Sequence, residues 1–295
     1  MQSTLDLHMH SNHSLDGNLD VNIILDKCAE KGLKVVSITD HDSCDAILDI
    51  NKTNFEGTII NGMEADALVG KLTYDILCYD FDLEPVSKWA HDQYGTCESR
   101  QTKIFDKLCE ICNELGLKLD NSIPYQAESE YAHAALFRML EVVPESKAYL
   151  DSLNIKTVTD LYREGTVNEK FPLYIDMHLV WPSIEEVRDI IHQNGGKIFL
   201  AHPFNYGKDT NPIEILNACL PYIDGVEVCN GSTEEQVKFL YNYAKEHNLL
   251  MSAGNDFHGS EKHSELGVTN ITKEIEDKIY SWVNQAKHKT LVKGK

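Results

Sequence analysis

Two histidines two residues apart, His8 and His10, close the apolar run Leu5-Asp6-Leu7-His8-Met9-His10-Ser11. In an extended strand alternate side chains share a face, so both imidazoles point the same way. Imidazole is the commonest nitrogen ligand for metals, so such a pair is the start of a metal site. Four later segments repeat the pattern of a short β-rich run ending in a ligand-type residue. Val35–Thr39 runs into Asp40-His41-Asp42, and Ile59–Met63 runs into Glu64. Ile198–Ala201 runs into His202-Pro203, and Leu250–Asn255 runs into Asp256-Phe257-His258, a second pair at i, i+2. In a parallel α/β sheet or barrel the C-terminal ends of strands gather on one rim, where active sites are built. A set of imidazoles and carboxylates suits zinc, manganese or iron, and a carboxylate such as Glu64 can bridge two ions.

The elements that must position these residues are punctuated by caps and stops. Asp20 reads as the N-cap of a helix running through Lys31, with Gly32 as its stop and a strand at Val35–Thr39. Further on, Ser183 and Glu186 form a capping box that opens a helix stopping at Gly195-Gly196. Strand Lys197–Ala201, helix Pro212–Leu220, strand Gly225–Cys229, helix Thr233–His247 and strand Leu249–Ala253 follow, with Thr233 and Gln236 as a second box. This alternation predicts a parallel barrel or doubly wound sheet. Between about 84 and 180 the pattern is helical instead, with segments at Glu98–Leu115, Ser129–Val142 and Ser146–Leu153. The expected organisation is an α/β barrel from 1–83 and 181–295, with 84–180 as a mainly helical insertion over the ligand-bearing rim. Lys273–Lys289 reads as an amphipathic helix with a basic tail.

The 295 residues carry a formal net charge of −20, which argues against a groove for long nucleic acid and against binding to an anionic membrane. An acidic enzyme acting on anionic phosphates needs a local positive centre, which bound metal would supply. No apolar run approaches a membrane span and no signal peptide is visible, so a cytoplasmic setting is expected. The eight cysteines are scattered, and Cys109-Glu110-Ile111-Cys112, on a helical pattern, reads as reduced core cysteines.

Taken together, Asp6-Leu7-His8-Met9-His10-Ser11, Thr39-Asp40-His41-Asp42, Gly62-Met63-Glu64, Ala201-His202-Pro203 and Asp256-Phe257-His258-Gly259 resemble the PHP (polymerase and histidinol phosphatase) metallophosphoesterases. The resemblance implies a distorted (β/α)7 TIM-like barrel holding two or three divalent metal ions, manganese, iron or zinc, that hydrolyse phosphate esters. It places ligands at His8, His10, Asp16, His41, Glu64, His202, Asp256 and His258. Asp75, in Asp75-Ile76-Leu77-Cys78-Tyr79, stands where many members carry histidine. A carboxylate still ligates a hard cation, so Asp75 is either a ligand with altered metal preference or the mark of a weakened position. Asp40 is expected to orient its neighbours, and His13 and Asp42 are expected to be turn residues.

The expected chemistry is attack of metal-activated water on phosphorus, with His202, His258 and Asp256 as the catalytic candidates. A proton for the leaving group comes from His202 or His258 only if the two are not both committed to metal. Substrate contacts are assigned to the insertion: Arg100, His133, Arg138 and His178. Arg100 opens a helix where nucleotide-phosphatase relatives often carry arginine. Tyr131-Ala132-His133-Ala134 resembles their Arg-Pro-His-Ile-Ala segment with tyrosine in place of the arginine. His91, His192, His247, His263 and His288 are given no role. The substrate implied is a small phosphate ester, a nucleotide or related monoester. A histidinol phosphate, an oligonucleotide end, or a non-catalytic metal-binding module are the alternatives.

Overall fold

The computed structural model describes residues 3–206, 210–259, 265–268 and 270–293, so His263 lies outside the described residues. The chain opens with β1 (Leu5–Asp6) and α1 (Val21–Glu30). The helix starts at Asp20, whose carboxylate accepts from the Asn22 N–H at 2.8 Å, and ends before Gly32 at φ +74°. There follow β2 (Val35–Val36), β3 (Gly57–Ile60), β4 (Gly62–Val69) and β5 (Leu72–Tyr79). The helical stretch comprises α2 (Leu83–Tyr94), α3 (Cys97–Glu114), α4 (Ala132–Glu141), α5 (Pro144–Ser152) and α6 (Val158–Asp160), which runs into a π-helical turn at Leu161–Thr166. Alternation returns with α7 (Ile184–Gln193), β6 (Lys197–Leu200), α8 (Pro212–Cys219), β7 (Gly225–Cys229), α9 (Glu234–Glu246) and β8 (Leu250–Ala253). The chain finishes with α10 (Lys273–Val283) and β9 (Lys289–Val292).

The result is a mixed α/β fold with two sheets, ordered β1-β2-β3-β9 and β4-β5-β6-β7-β8. β1, β2 and β3 run parallel, as do β6, β7 and β8, but β9 lies antiparallel on β3 and β5 antiparallel on β6. Purely parallel pairing, the expectation from alternation, therefore holds only within each run of βα units. The sheets are stitched together past their strand ends. Leu7 N–H donates to Ala253 O at 3.0 Å, and Met9 pairs with Phe257. On the other side Asp42 N–H donates to Glu64 O at 2.7 Å and Glu64 N–H to Asp40 O at 3.1 Å. These stitches hold the segments in which the candidate ligands stand.

The chain divides into two compact units. The first comprises 1–67, 74–91 and 184–295. Part of its core is Ile24, Leu25 and Cys28 of α1 packed with Met9, Val36, Ile59 and Phe257. The second comprises 68–73 and 92–183. It is helical apart from the β4–β5 turn, and buries Ile104 and Leu108 of α3, Leu136 and Leu140 of α4 and Leu150 of α5. No helix among the described residues is long and apolar enough to cross a membrane.

Three boundaries differ from the sequence reading. Ile59–Met63 is not one strand: β3 ends at Ile60, and Glu64 stands inside β4 near its start, not at a C-terminal strand end. Regular strand stops at Asp6 and Val36, so His8 and His10 lie beyond ladder pairing and His41 has only an isolated parallel bridge to Glu64. The buried Asp6 carboxylate takes over the bonding there, accepting the N–H groups of His8, Asn255 and Gly267 at 3.2, 3.1 and 2.8 Å. At the other end the helix stops at Val283, not Lys289, because Asp80 accepts the N–H groups of Lys287 and His288 at 2.7 and 2.8 Å and turns the chain into β9.

Backbone approach at the ligand segment leaves no room for a side chain at Gly254. A Cβ there meets His8 Cβ at 2.1 Å and His8 N at 2.5 Å. Gly254→Ala is expected to destabilise the protein by about 1–3 kcal/mol through overpacking. Urea unfolding checks it, and an unchanged midpoint removes the close approach from the account.

Candidate metal centre

Glu64 is the second residue after the start of β4 and is fully buried, which for a lone carboxylate costs several kcal/mol. Around it the strand ends deliver imidazoles. Its Oε2 lies 3.1 Å from both His8 Nε2 and His10 Nε2, and its Oε1 lies 3.2 Å from His202 Nε2. Asp256 Oδ1 lies 3.2 Å from His8 Nε2 and 3.1 Å from His10 Nε2. Asp16 Oδ2 is 3.3 Å from His258 Nε2 and 3.8 Å from His41 Nε2, and Asp75 Oδ2 is 3.6 Å from His202 Nε2. The ligand atoms fall into three overlapping groups: His10, Asp16, His41, His258; His8, His10, Glu64, Asp256; and Glu64, Asp75, His202. Within each group they all lie within 4.8 Å of one another.

The donor set fits divalent cations on a test of polarity. His8 Nδ1 faces Glu227 Oε1 at 3.0 Å, and that carboxylate can only accept. His258 Nδ1–H likewise donates to the Asp256 carbonyl at 2.8 Å. Ser14 Oγ gives its proton to Asp40 Oδ1 at 3.0 Å and so accepts from His10 Nδ1 at 3.2 Å. In their neutral forms these three imidazoles turn lone pairs toward carboxylate oxygens, and a cation is what reconciles the convergence.

The same contacts shift the titration of these groups. Burial pushes the His10 imidazole down, but hydrogen bonds to Asp256 and Glu64 outweigh it and lift its pKa to about 10. His41 and His202 rise to about 9 against the same burial penalty, through Glu64 with Asp16 and with Asp75 respectively. Burial pushes Glu64 and Asp256 up, yet the His8 field and neighbouring imidazoles hold both well below the usual carboxylate range. Asp75 moves the other way: burial raises it, and it shares a hydrogen bond with Asp66.

Backbone strain is stored at the same place. His202 has φ +24°, Asp256 φ +53° and Asp42 φ +57°, values that non-glycine residues adopt at a cost of about 1–3 kcal/mol each. All nine expected ligands lie in these three groups. Asp40 accepts from Ser11 N–H at 2.6 Å, Ser11 Oγ at 2.7 Å and Ser14 Oγ, consistent with an orienting part. Asp42, read as a turn residue, has the turn conformation and also accepts the Asp66 N–H at 2.9 Å.

Sequence reading missed Glu227, Ser14 and Asp66. Glu227 carried a signal, an acid between valines in a strand otherwise apolar. In the second unit Arg100 is buried and donates to the carbonyls of Tyr94 and Gly95 at 3.2 and 3.3 Å. Arg138 forks onto Glu130 at 2.8 and 2.7 Å, and His178 pairs with Asp176 at 2.7 Å. His133 is buried, its Nε2 has no hydrogen-bond partner among the described residues, and burial lowers its pKa to about 4.

Loading the centre must expel these protons. In metal-free protein the raised imidazole pKa values contribute stability that is full below about 6.5 and lost as pH rises through about 9–10. Manganese affinity is therefore expected to rise with pH across the neutral range. Calorimetric titration in buffers of different ionisation enthalpy is expected to count at least one proton released per chain. A count of zero overturns the shifted imidazoles.

A family model described as PHP domain matches residues 6–198. The 5'-3' exoribonuclease Rnm of Escherichia coli is 26% identical over 272 residues, covering 89% of this chain and 87% of the relative. The 3',5'-nucleoside bisphosphate phosphatase of Chromobacterium violaceum is 26% identical over 263 residues, covering 87% of each. Among solved structures, an amidohydrolase from Chromobacterium violaceum aligns with a TM-score of 0.63 at 20% identity, over 94% of this chain and 97% of that one. A Bifidobacterium adolescentis protein described as a metal-dependent phosphoesterase aligns with a TM-score of 0.59 at 22% identity, over 94% and 95%. At those identities the structural likeness is one of fold. The family match runs from the first histidine pair to β6, and this chain belongs to the PHP domain family.

Proposed function

We propose that this protein hydrolyses phosphate esters with two or three divalent cations held by His8, His10, Asp16, His41, Glu64, Asp75, His202, Asp256 and His258. The observation that carries the reading is the sharing of Glu64, whose two oxygens face two different ligand groups, while His10 belongs to two groups as well. Ligands shared in this way would hold neighbouring cations, an arrangement suited to phosphoryl transfer to water. Bound there, manganese, iron or zinc would supply Lewis acidity that lowers the pKa of water and offsets charge building on phosphate oxygens.

The chain's own residues do the rest. Glu64 and His10 set the spacing. Asp256 and His258 hold their geometry through a left-handed backbone and the Nδ1–H bond to a carbonyl. His202 and His258 both aim Nε2 into ligand groups. Once ligated, neither would keep a proton on that nitrogen for the leaving group. We read the two sheets as arcs of one distorted (β/α)7 barrel, supported by the Leu7–Ala253 and His41–Glu64 links. Residues 84–180 are read as its helical insertion. Eight free cysteines fit a reducing cytoplasm.

A nucleotide phosphate is the substrate class we favour, since the relatives named above are a nucleoside bisphosphate phosphatase and an exoribonuclease. The −20 charge favours small substrates and short ends over long polyanions. Arg100 and His133 are the proposed phosphate contacts. Arg138 and His178 are further candidates, although Glu130 and Asp176 already engage them, as the Tyr94 and Gly95 carbonyls engage Arg100.

Phosphate release with added manganese tests this. A 3',5'-bisphosphonucleotide and 5'-phosphorylated oligoribonucleotides of increasing length are both assayed. His10→Ala is expected to lower bound metal and to cut turnover on the order of a hundredfold or more, since cations at such sites supply several kcal/mol. Full turnover in that variant, or in chelator-stripped protein, removes the proposal. Asp75→Ala is expected to lower the metal count while leaving the His8–His10 position loaded. An unchanged count excludes Asp75 as a ligand.

A further inference from the structure

β7 carries one acid among apolar neighbours. Glu227, between Val226 and Val228, is 1% exposed and belongs to none of the three ligand groups. A carboxylate buried that far must have its lone pairs satisfied. Oε1 faces His8 Nδ1 at 3.0 Å. Oε2 accepts from the His202 backbone N–H at 2.9 Å and from Asn230 Nδ2 at 3.0 Å. Both oxygens are thus spent on three donors. Two of those donors belong to residues that turn their Nε2 atoms into different ligand groups. His202 is also strained, at φ +24° immediately before Pro203, and its held N–H is the near end of that strained residue.

The geometry points to Glu227 as a positioning residue. It fixes His8 as an Nε2 ligand by accepting from Nδ1, and it pins the left-handed backbone of His202. Two of the three ion positions then depend on a single buried carboxylate, whereas the position built on Asp16, His41 and His258 does not touch it. The inference rests on the reading that these groups hold cations.

Glu227→Gln keeps the shape but leaves one acceptor oxygen for three donors. If the amide oxygen serves His202 and Asn230, the NH2 faces His8 Nδ1. That forces the tautomer carrying its proton on Nε2, toward Glu64 and Asp256. Metal-free wild type and variant are titrated with manganese in competition with a chelator, and His41→Ala identifies the position independent of Glu227. The variant is expected to bind 10–100-fold more weakly at the positions of His8 and His202, with the remaining position loading as in wild type. Equal weakening everywhere indicates a structural role and overturns the proposal, as does no weakening. Wild type that takes up no ion overturns instead the metal reading beneath it. A measurement on zinc-loaded wild type keeps the question decidable if the variant does not fold. Nitrogen-15 NMR is expected to find a proton bonded to His8 Nδ1, and an unprotonated Nδ1 overturns the assignment.

Discussion

Lone pairs that converge in a buried space must be neutralised, and that requirement organises the first unit. Glu64 alone places two carboxylate oxygens among the Nε2 atoms of three histidines. The carboxylates push the His10, His41 and His202 imidazoles up against burial, and the imidazoles hold Glu64 and Asp256 down. Much of the surrounding architecture follows from holding that convergence. Asp6 replaces ladder bonds where the strands stop, Asp40 and Ser14 brace His10, and Glu227 braces His8. Removing any one brace leaves the charge problem and loses a geometry that solves it.

The candidate ligands were legible because their chemistry is unusual beside short apolar runs. Two His-containing i, i+2 pairs, a Glu after an apolar run and a His-Pro after another are not what core packing alone selects. The helices were legible for a different reason: caps are local, and Asp20 and Thr233 act as the residue types demand. What stayed hidden depends on long-range pairing. β9 is a short strand that forms because Asp80 turns the chain and β3 offers an edge. The antiparallel β5–β6 junction and the stitches between the sheets have no local signal at all. Glu227 was visible as an acid in an apolar strand, but its partner His8 lies 219 residues away.

The second unit presents the opposite case. Its helices follow their apolar periodicity, yet the substrate contacts placed on it do not stand out by geometry. Arg138 and His178 are satisfied by neighbouring carboxylates, and Arg100 caps carbonyls of its own approach segment. His133 is the exception, buried with a nitrogen that has no hydrogen-bond partner among the described residues.

The Asp6 carboxylate joins the start of the chain to the Gly267 N–H, 261 residues away, and Asp256 completes a ligand group begun by His8. Closing loops of that length is slow relative to forming helices, so such contacts come late in folding. The group of His8, His10, Glu64 and Asp256 is therefore whole only in a chain whose early and late segments have met.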